Sequence, residues 1–139
     1  MDKELTGKRC LHYSAWHRSA SLARFVDIEE AKQCSYIDID GLEYDWKGPL
    51  FLFETALQTP RYKTAAKMRE LARLASIPAY LIRYDLKSEL NPADPKWQDI
   101  EAFYIKKVWP PPTVDLGKVT PEQWAKELVK IRKEIRNAF

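Results

Sequence analysis

Asp38, Asp40, Glu43, Asp45 and Glu54 crowd five carboxylates into residues 38–54, where Lys47 is the only cation. The next charged stretch has the opposite sign. Residues 61–73 hold Arg61, Lys63, Lys67, Arg69 and Arg73 against Glu70 alone. Carboxylate oxygens suit a hard divalent cation, and Lys and Arg suit phosphate. A cation held this way polarises a phosphoryl oxygen and lowers the pKa of a bound water. Side by side, the two stretches have the makings of metal-assisted phosphodiester chemistry.

Such chemistry needs the carboxylates on one surface. Tyr36 to Tyr44 alternates and is rich in strand formers. As a strand it sets Asp38 and Asp40 on one face and Ile37 and Ile39 on the other. Asp45-Trp46-Lys47-Gly48-Pro49 is a turn, and Leu50 to Ala56 is a nearly continuous apolar run. A run of that kind is expected of a strand covered on both faces. The two strands read as a hairpin, and Glu54 ends its apolar stretch. A carboxylate in a buried strand is costly unless paired or metal-bound. If the hairpin brings the two faces together, Asp38 or Asp40 converges on Glu54. The plainer reading is that Glu54 marks the strand's exit into solvent, or pairs with Arg61 or Lys63.

Thr59-Pro60 breaks the strand, and Tyr62 to Ser76 has helical spacing. Ala65, Met68, Leu71, Ala72 and Ala75 form its apolar stripe, and Lys63, Lys67, Glu70 and Arg73 its polar face. Ile77-Pro78 ends the helix. Ala79 to Tyr84 is a third strand, Asn91 to Pro95 a polar loop, and Ile100 to Val108 a fourth strand. Pro110-Pro111-Pro112 is a stiff spacer that cannot sit inside a sheet. Thr120-Pro121-Glu122-Gln123 then has the form of a helix start, with a capping residue, Pro at the first position and Gln three after the cap. Trp124, Leu128, Ile131 and Ile135 follow on one face, with Lys126, Lys130, Lys133 and Arg136 outside. Toward the N-terminus, Ser14 to Phe25 and Asp27 to Lys32 read as short helices. The expected class is α/β, a small mixed sheet of about four strands flanked by helices. The strand-helix-strand unit over 50–84 implies a right-handed parallel crossover.

The bulk composition narrows the function classes. A chain of 139 residues with 45% hydrophobic and 31% charged residues reads as one globular domain, 1–139, and excludes disordered and collagen-like classes. Only 4 Gly argue against a glycine-rich phosphate loop. The net charge of +3 permits nucleic acid without demanding it. No apolar run is long enough for a membrane span, and Met1-Asp2-Lys3-Glu4 opens no secretory signal, so a cytoplasmic protein without membrane contact is expected. Cys10 and Cys34 are then reduced thiols. The spacing of Cys10, His12, His17 and Cys34 fits no zinc pattern.

The block Tyr36 to Tyr44, then Pro49 to Glu54, then a helix, then Ile77 to Tyr84, resembles the core of the PD-(D/E)XK nuclease superfamily, and within it small phage-type proteins. The resemblance covers residues 36–86. It implies a restriction-endonuclease-like fold and a metal-dependent nuclease acting on DNA, in a bacterial or phage-infected cell. It implies Mg²⁺, with Mn²⁺ as a substitute, held by Asp40 and Glu54, with Asp38 the second choice for the Asp position. The family's Lys falls on Ala56, which can neither orient a water nor stabilise negative charge. Lys63 is the candidate substitute and Gln58 a weaker one. Glu29 or Glu30 is a candidate for a further acidic position, and Lys67 and Arg69 for gripping the DNA backbone. Ala56 also supports an alternative, a nuclease-like domain that binds nucleic acid or a partner protein without cutting. A third reading is an unrelated interaction domain with Trp97, Trp109 and Trp124 as its contact surface. A homodimer stays open.

Overall fold

In the computed structural model the chain divides into two compact units, Met1–Asp38 and Ile39–Phe139. Described are residues 39–57 and 65–138, with His12, Trp16 and Arg24 from the first unit. Most of the two short N-terminal helices, and the strand start at Tyr36, fall outside the described residues; Trp16 is helical.

The second unit runs β1 (Gly41–Asp45), β2 (Gly48–Leu57), α1 (Ala66–Ala75), β3 (Ala79–Asn91), β4 (Asp94–Trp109), β5 (Val114–Val119) and α2 (Pro121–Asn137). The strands form one sheet in the order β1-β2-β3-β4-β5. β2 and β3 are parallel, and every other neighbouring pair is antiparallel. The α/β class and mixed sheet agree with the sequence pattern. The strand count does not, because β5 makes a fifth strand after the triple proline.

Local chemistry sets the element ends. In the β1–β2 turn the Lys47 amide donates to Asp45 Oδ1 at 2.9 Å, and Gly48 follows at φ 132°, a conformation that disfavours any side chain. α1 stops where Ser76 turns left-handed and the amides of Ser76 and Ile77 close on Arg73 and Ala72 carbonyls. α2 starts with a full capping box: the Gln123 amide donates to Thr120 Oγ1, and the Thr120 amide donates to Gln123 Oε1.

The two faces of the sheet carry separate cores. On one, Phe51, Tyr80, Ile82 and Ile105 pack with Trp124 and Ile131 of α2. The Phe51 and Tyr80 rings meet edge-on at 4.8 Å, and Tyr80 meets Trp124 at 6.2 Å. On the other, Leu52, Ala79, Leu81 and Val108 pack under Met68 and Ala72 of α1. Fully burying a large apolar side chain such as Phe51, Met68 or Ile105 contributes about 1.5–3 kcal/mol. α1 has only ten residues, about 15 Å of helix, so its cover ends partway along the sheet. Arg136 of α2 forks onto Asp45 at the β1–β2 turn and donates to the Gly48 carbonyl at 2.7 Å.

β1 starts later than its alternation predicts. Ile39 and Asp40 precede the strand, and Ile39 packs on the α1-side core instead of the opposite face. The Asp40 carboxylate bonds to β2, so side-chain chemistry replaces a ladder there.

Candidate functional site

β2 presents Leu52, Glu54 and Ala56 toward the α1 side of the sheet. Leu52 belongs to the core, and Glu54 is the first polar side chain past it. At 4% exposure, Glu54 is the sole buried polar or charged residue among the described ones. A carboxylate at that depth requires compensation, and Glu54 is engaged in polar contact.

Asp40 sits beside it. Asp40 Oδ2 accepts the Thr55 amide at 2.8 Å and the Thr55 hydroxyl at 3.2 Å. The β1–β2 ladder ends with Gly41 opposite Phe53. One step further along the same register sets Asp40 opposite Glu54. Past the end of β1, the half-buried Thr55 amide takes a side-chain acceptor. The Asp40 carboxylate is that acceptor, held one residue from Glu54.

Strand registry extends the site into two rows across the sheet. The first runs Glu54, Leu81, Lys106, Asp115 over β2 to β5. The second runs Ala56, Arg83, Tyr104, Lys118. Partners in a row are about 4.8 Å apart at the backbone, and the rows about 6.6 Å apart. Beyond the end of α1 this face turns from apolar to charged. Leu81, Arg83, Tyr104, Lys106, Asp115, Gly117 and Lys118 line a concavity of about 240 Å³.

Its polar groups differ in their bonding. The Tyr104 hydroxyl donates to Asp85 Oδ2 at 2.8 Å. That bond, with burial, raises the Tyr104 pKa and keeps the phenol protonated. Lys118 Nζ lies 5.9 Å from the Tyr104 ring centre. Asp115 Oδ1 accepts the Gly117 amide at 2.8 Å. Arg83 Nε is buried with no hydrogen-bond partner.

Of the residues expected from sequence to form the site, Asp40 and Glu54 are neighbours in register at the end of the β1–β2 ladder, but the Asp40 carboxylate bonds Thr55, whose side chain is on the opposite face of the sheet from Glu54. Asp38, Lys63, Gln58, Glu29 and Glu30 lie outside the described residues. Lys67 is exposed on α1 and paired with Glu70 at 3.3 Å. Arg69 lines a separate concavity with Val108, Trp109 and Pro111, at the C-terminal end of β4. Among the described residues no group of three or more His, Cys, Asp or Glu is gathered as a metal site.

Arg83, Tyr104, Lys106 and Lys118 were not expected at the site. Arg83 carried a faint signal, a lone cation in the apolar run Ala79 to Tyr84. Lys118 carried none, since its strand was unrecognised. No family model, curated protein or solved structure matches the chain. Among the described residues no helix is long and apolar enough to cross a membrane.

Proposed function

We propose that the protein is a metal-dependent nuclease of the PD-(D/E)XK kind, with a restriction-endonuclease-like fold, acting on DNA in the cytoplasm. The observation that carries this reading is the pairing of Ala56 with Arg83 beside buried Glu54. The family's Lys position is Ala56 here, and the neighbouring strand offers a guanidinium directly across from it. Arg83 therefore takes the charge-stabilising role, and Lys63 stays a further candidate.

Asp40 and Glu54 fit Mg²⁺ by chemistry. Both are hard oxygen donors, and Mg²⁺ keeps several waters and needs only one or two protein carboxylates. When bound, the cation supplies Lewis-acid polarisation and an activated water. The chain's own part is to hold the two carboxylates at one sheet edge, Asp40 through Thr55 and Glu54 through burial. Arg83 adds a fixed positive charge where negative charge builds on the phosphate.

The alternative is a domain that binds nucleic acid without cutting. The bonds that tie the Asp40 carboxylate to Thr55 favour it, because they give that carboxylate a structural task. One experiment separates the two. The protein is incubated with plasmid, linear and single-stranded DNA, and with RNA, in Mg²⁺ or Mn²⁺, beside Asp40→Ala and Glu54→Ala. Metal-dependent cleavage lost in both variants supports the nuclease. Cleavage untouched by either removes the site assignment. Binding with no cleavage in either metal supports the alternative.

A further inference from the structure

We propose that the concavity over β3, β4 and β5 is a phosphate-binding site, with Arg83, Lys106 and Lys118 as its cations. It is lined by those three cations and one carboxylate, Asp115. The nearby carboxylates are engaged within the protein, Asp115 by the Gly117 amide, Asp85 by the Tyr104 hydroxyl, and Glu54, across from Leu81, in a contact of its own. Among the described residues none of the three cations forms an ion pair. Lys126 and Lys130 of α2 are exposed, as Lys106 and Lys118 are, but are paired with Glu122 and Glu134.

Arg83 is the half-buried cation of the three, and its Nε has no hydrogen-bond partner. A buried donor without an acceptor is costly, and native structures satisfy nearly all such groups. Nε itself is sealed from solvent, so an anion in the concavity would meet the outer Nη donors of the same guanidinium. A phosphate suits it better than a carboxylate, because tetrahedral oxygens meet cations from several strands at once. Arg83 brings a planar fork of donors, and Lys106 and Lys118 bring point charges from β4 and β5. The floor between them is the Tyr104 ring, one row step from Arg83 and Lys118 alike. The ligand is a phosphate group, either a terminal monoester or an internal diester of a polynucleotide.

The site needs no metal, so its test is independent of cleavage. Binding is measured calorimetrically in EDTA with inorganic phosphate, a 5′-phosphorylated trinucleotide and the same trinucleotide unphosphorylated. Arg83→Gln and Lys118→Gln should each weaken binding about tenfold, the scale of one lost charge-assisted hydrogen bond. Lys126→Gln and Lys130→Gln should leave it unchanged. Arg83→Lys, which keeps charge and loses the fork, should fall between wild type and Arg83→Gln, and guards against a folding defect. Tight binding confined to the phosphorylated probes identifies a terminal monoester; equal binding of the unphosphorylated trinucleotide identifies the diester. No saturable binding of any probe, or equal losses in the Lys126 and Lys130 variants, overturns the proposal. Failure to cleave DNA in Mg²⁺ would sink the nuclease reading and leave this site standing.

Discussion

Ala56 and Arg83 are direct partners in the parallel ladder of β2 and β3. The side chain too small to carry charge thus stands beside one that always carries it.

On the nuclease reading, charge at this pair matters more than its strand of origin. Arg83→Gln should lower the cleavage rate about 10²–10³-fold, the usual cost of losing one preorganised charge-stabilising donor. Adding Ala56→Lys to that variant moves the cation across the ladder and should recover part of the rate. The check is single-turnover cleavage by the wild type and the single and double variants. No recovery in a folded double variant would show that the guanidinium's position is required.

Asp40 also holds β2 in place at the edge. Asp40→Ala removes this charged acceptor from the Thr55 amide and should cost about 1.5–3 kcal/mol, the range for hydrogen bonds to a charged group. Thr55→Val removes only the hydroxyl donor and should cost less. Urea unfolding of the three proteins measures both. Loss of activity in Asp40→Ala should therefore be scored only under conditions where that variant is folded.

Arg136 holds the Asp45 carboxyl down at about 2, from an ordinary 3.8, mainly by direct hydrogen bonding. A depressed carboxylate pKa stabilises the fold above the unfolded value and ceases to do so as pH falls through the folded one. Asp45→Asn should therefore lower the urea midpoint at neutral pH. The gap to wild type should narrow as pH drops from 3.8 toward about 2. A constant gap across that window would mean that the ionised pair contributes nothing.

The α2 capping box predicts a local effect. Thr120→Ala should cost about 1 kcal/mol, because the Gln123 amide loses its acceptor. Thr120→Asp, which keeps an acceptor and favours the helix N-terminus, should cost much less. Thermal unfolding of both variants is the measurement.

The sequence announced some elements and hid others for physical reasons. β2, α1 and α2 are legible because each buries a one-sided apolar pattern, as Leu52, Met68 and Trp124 show. β5 is an edge strand with only Val119 short of full exposure, so it carries little hydrophobic signal. The triple proline before it reads as a stiff spacer outside the sheet. The far halves of β3 and β4 pair mainly with each other, and exposed Leu90 and Trp97 set no core alternation there. Asp40 and Glu54 drew notice as candidates because carboxylates stand out in strand-forming sequence. Arg83 and Lys118 become partners of Tyr104 only through registry, which one-dimensional spacing does not contain.

The sheet's spatial order has a kinetic consequence. Because β1 to β5 lie in chain order, each strand docks on its immediate predecessor, and loop closure stays cheap at every step. Ordering of this kind favours fast folding, since few pairings span long stretches of chain. The contacts of α2 with the first strands are the exceptions, and the bond from Arg136 to Asp45 closes a separation of 91 residues. Such a contact belongs after the main barrier, so removing it should hasten unfolding and leave the refolding rate nearly unchanged. In that role Arg136 acts as a latch on a sheet already assembled, setting how long the fold persists and not how quickly it forms.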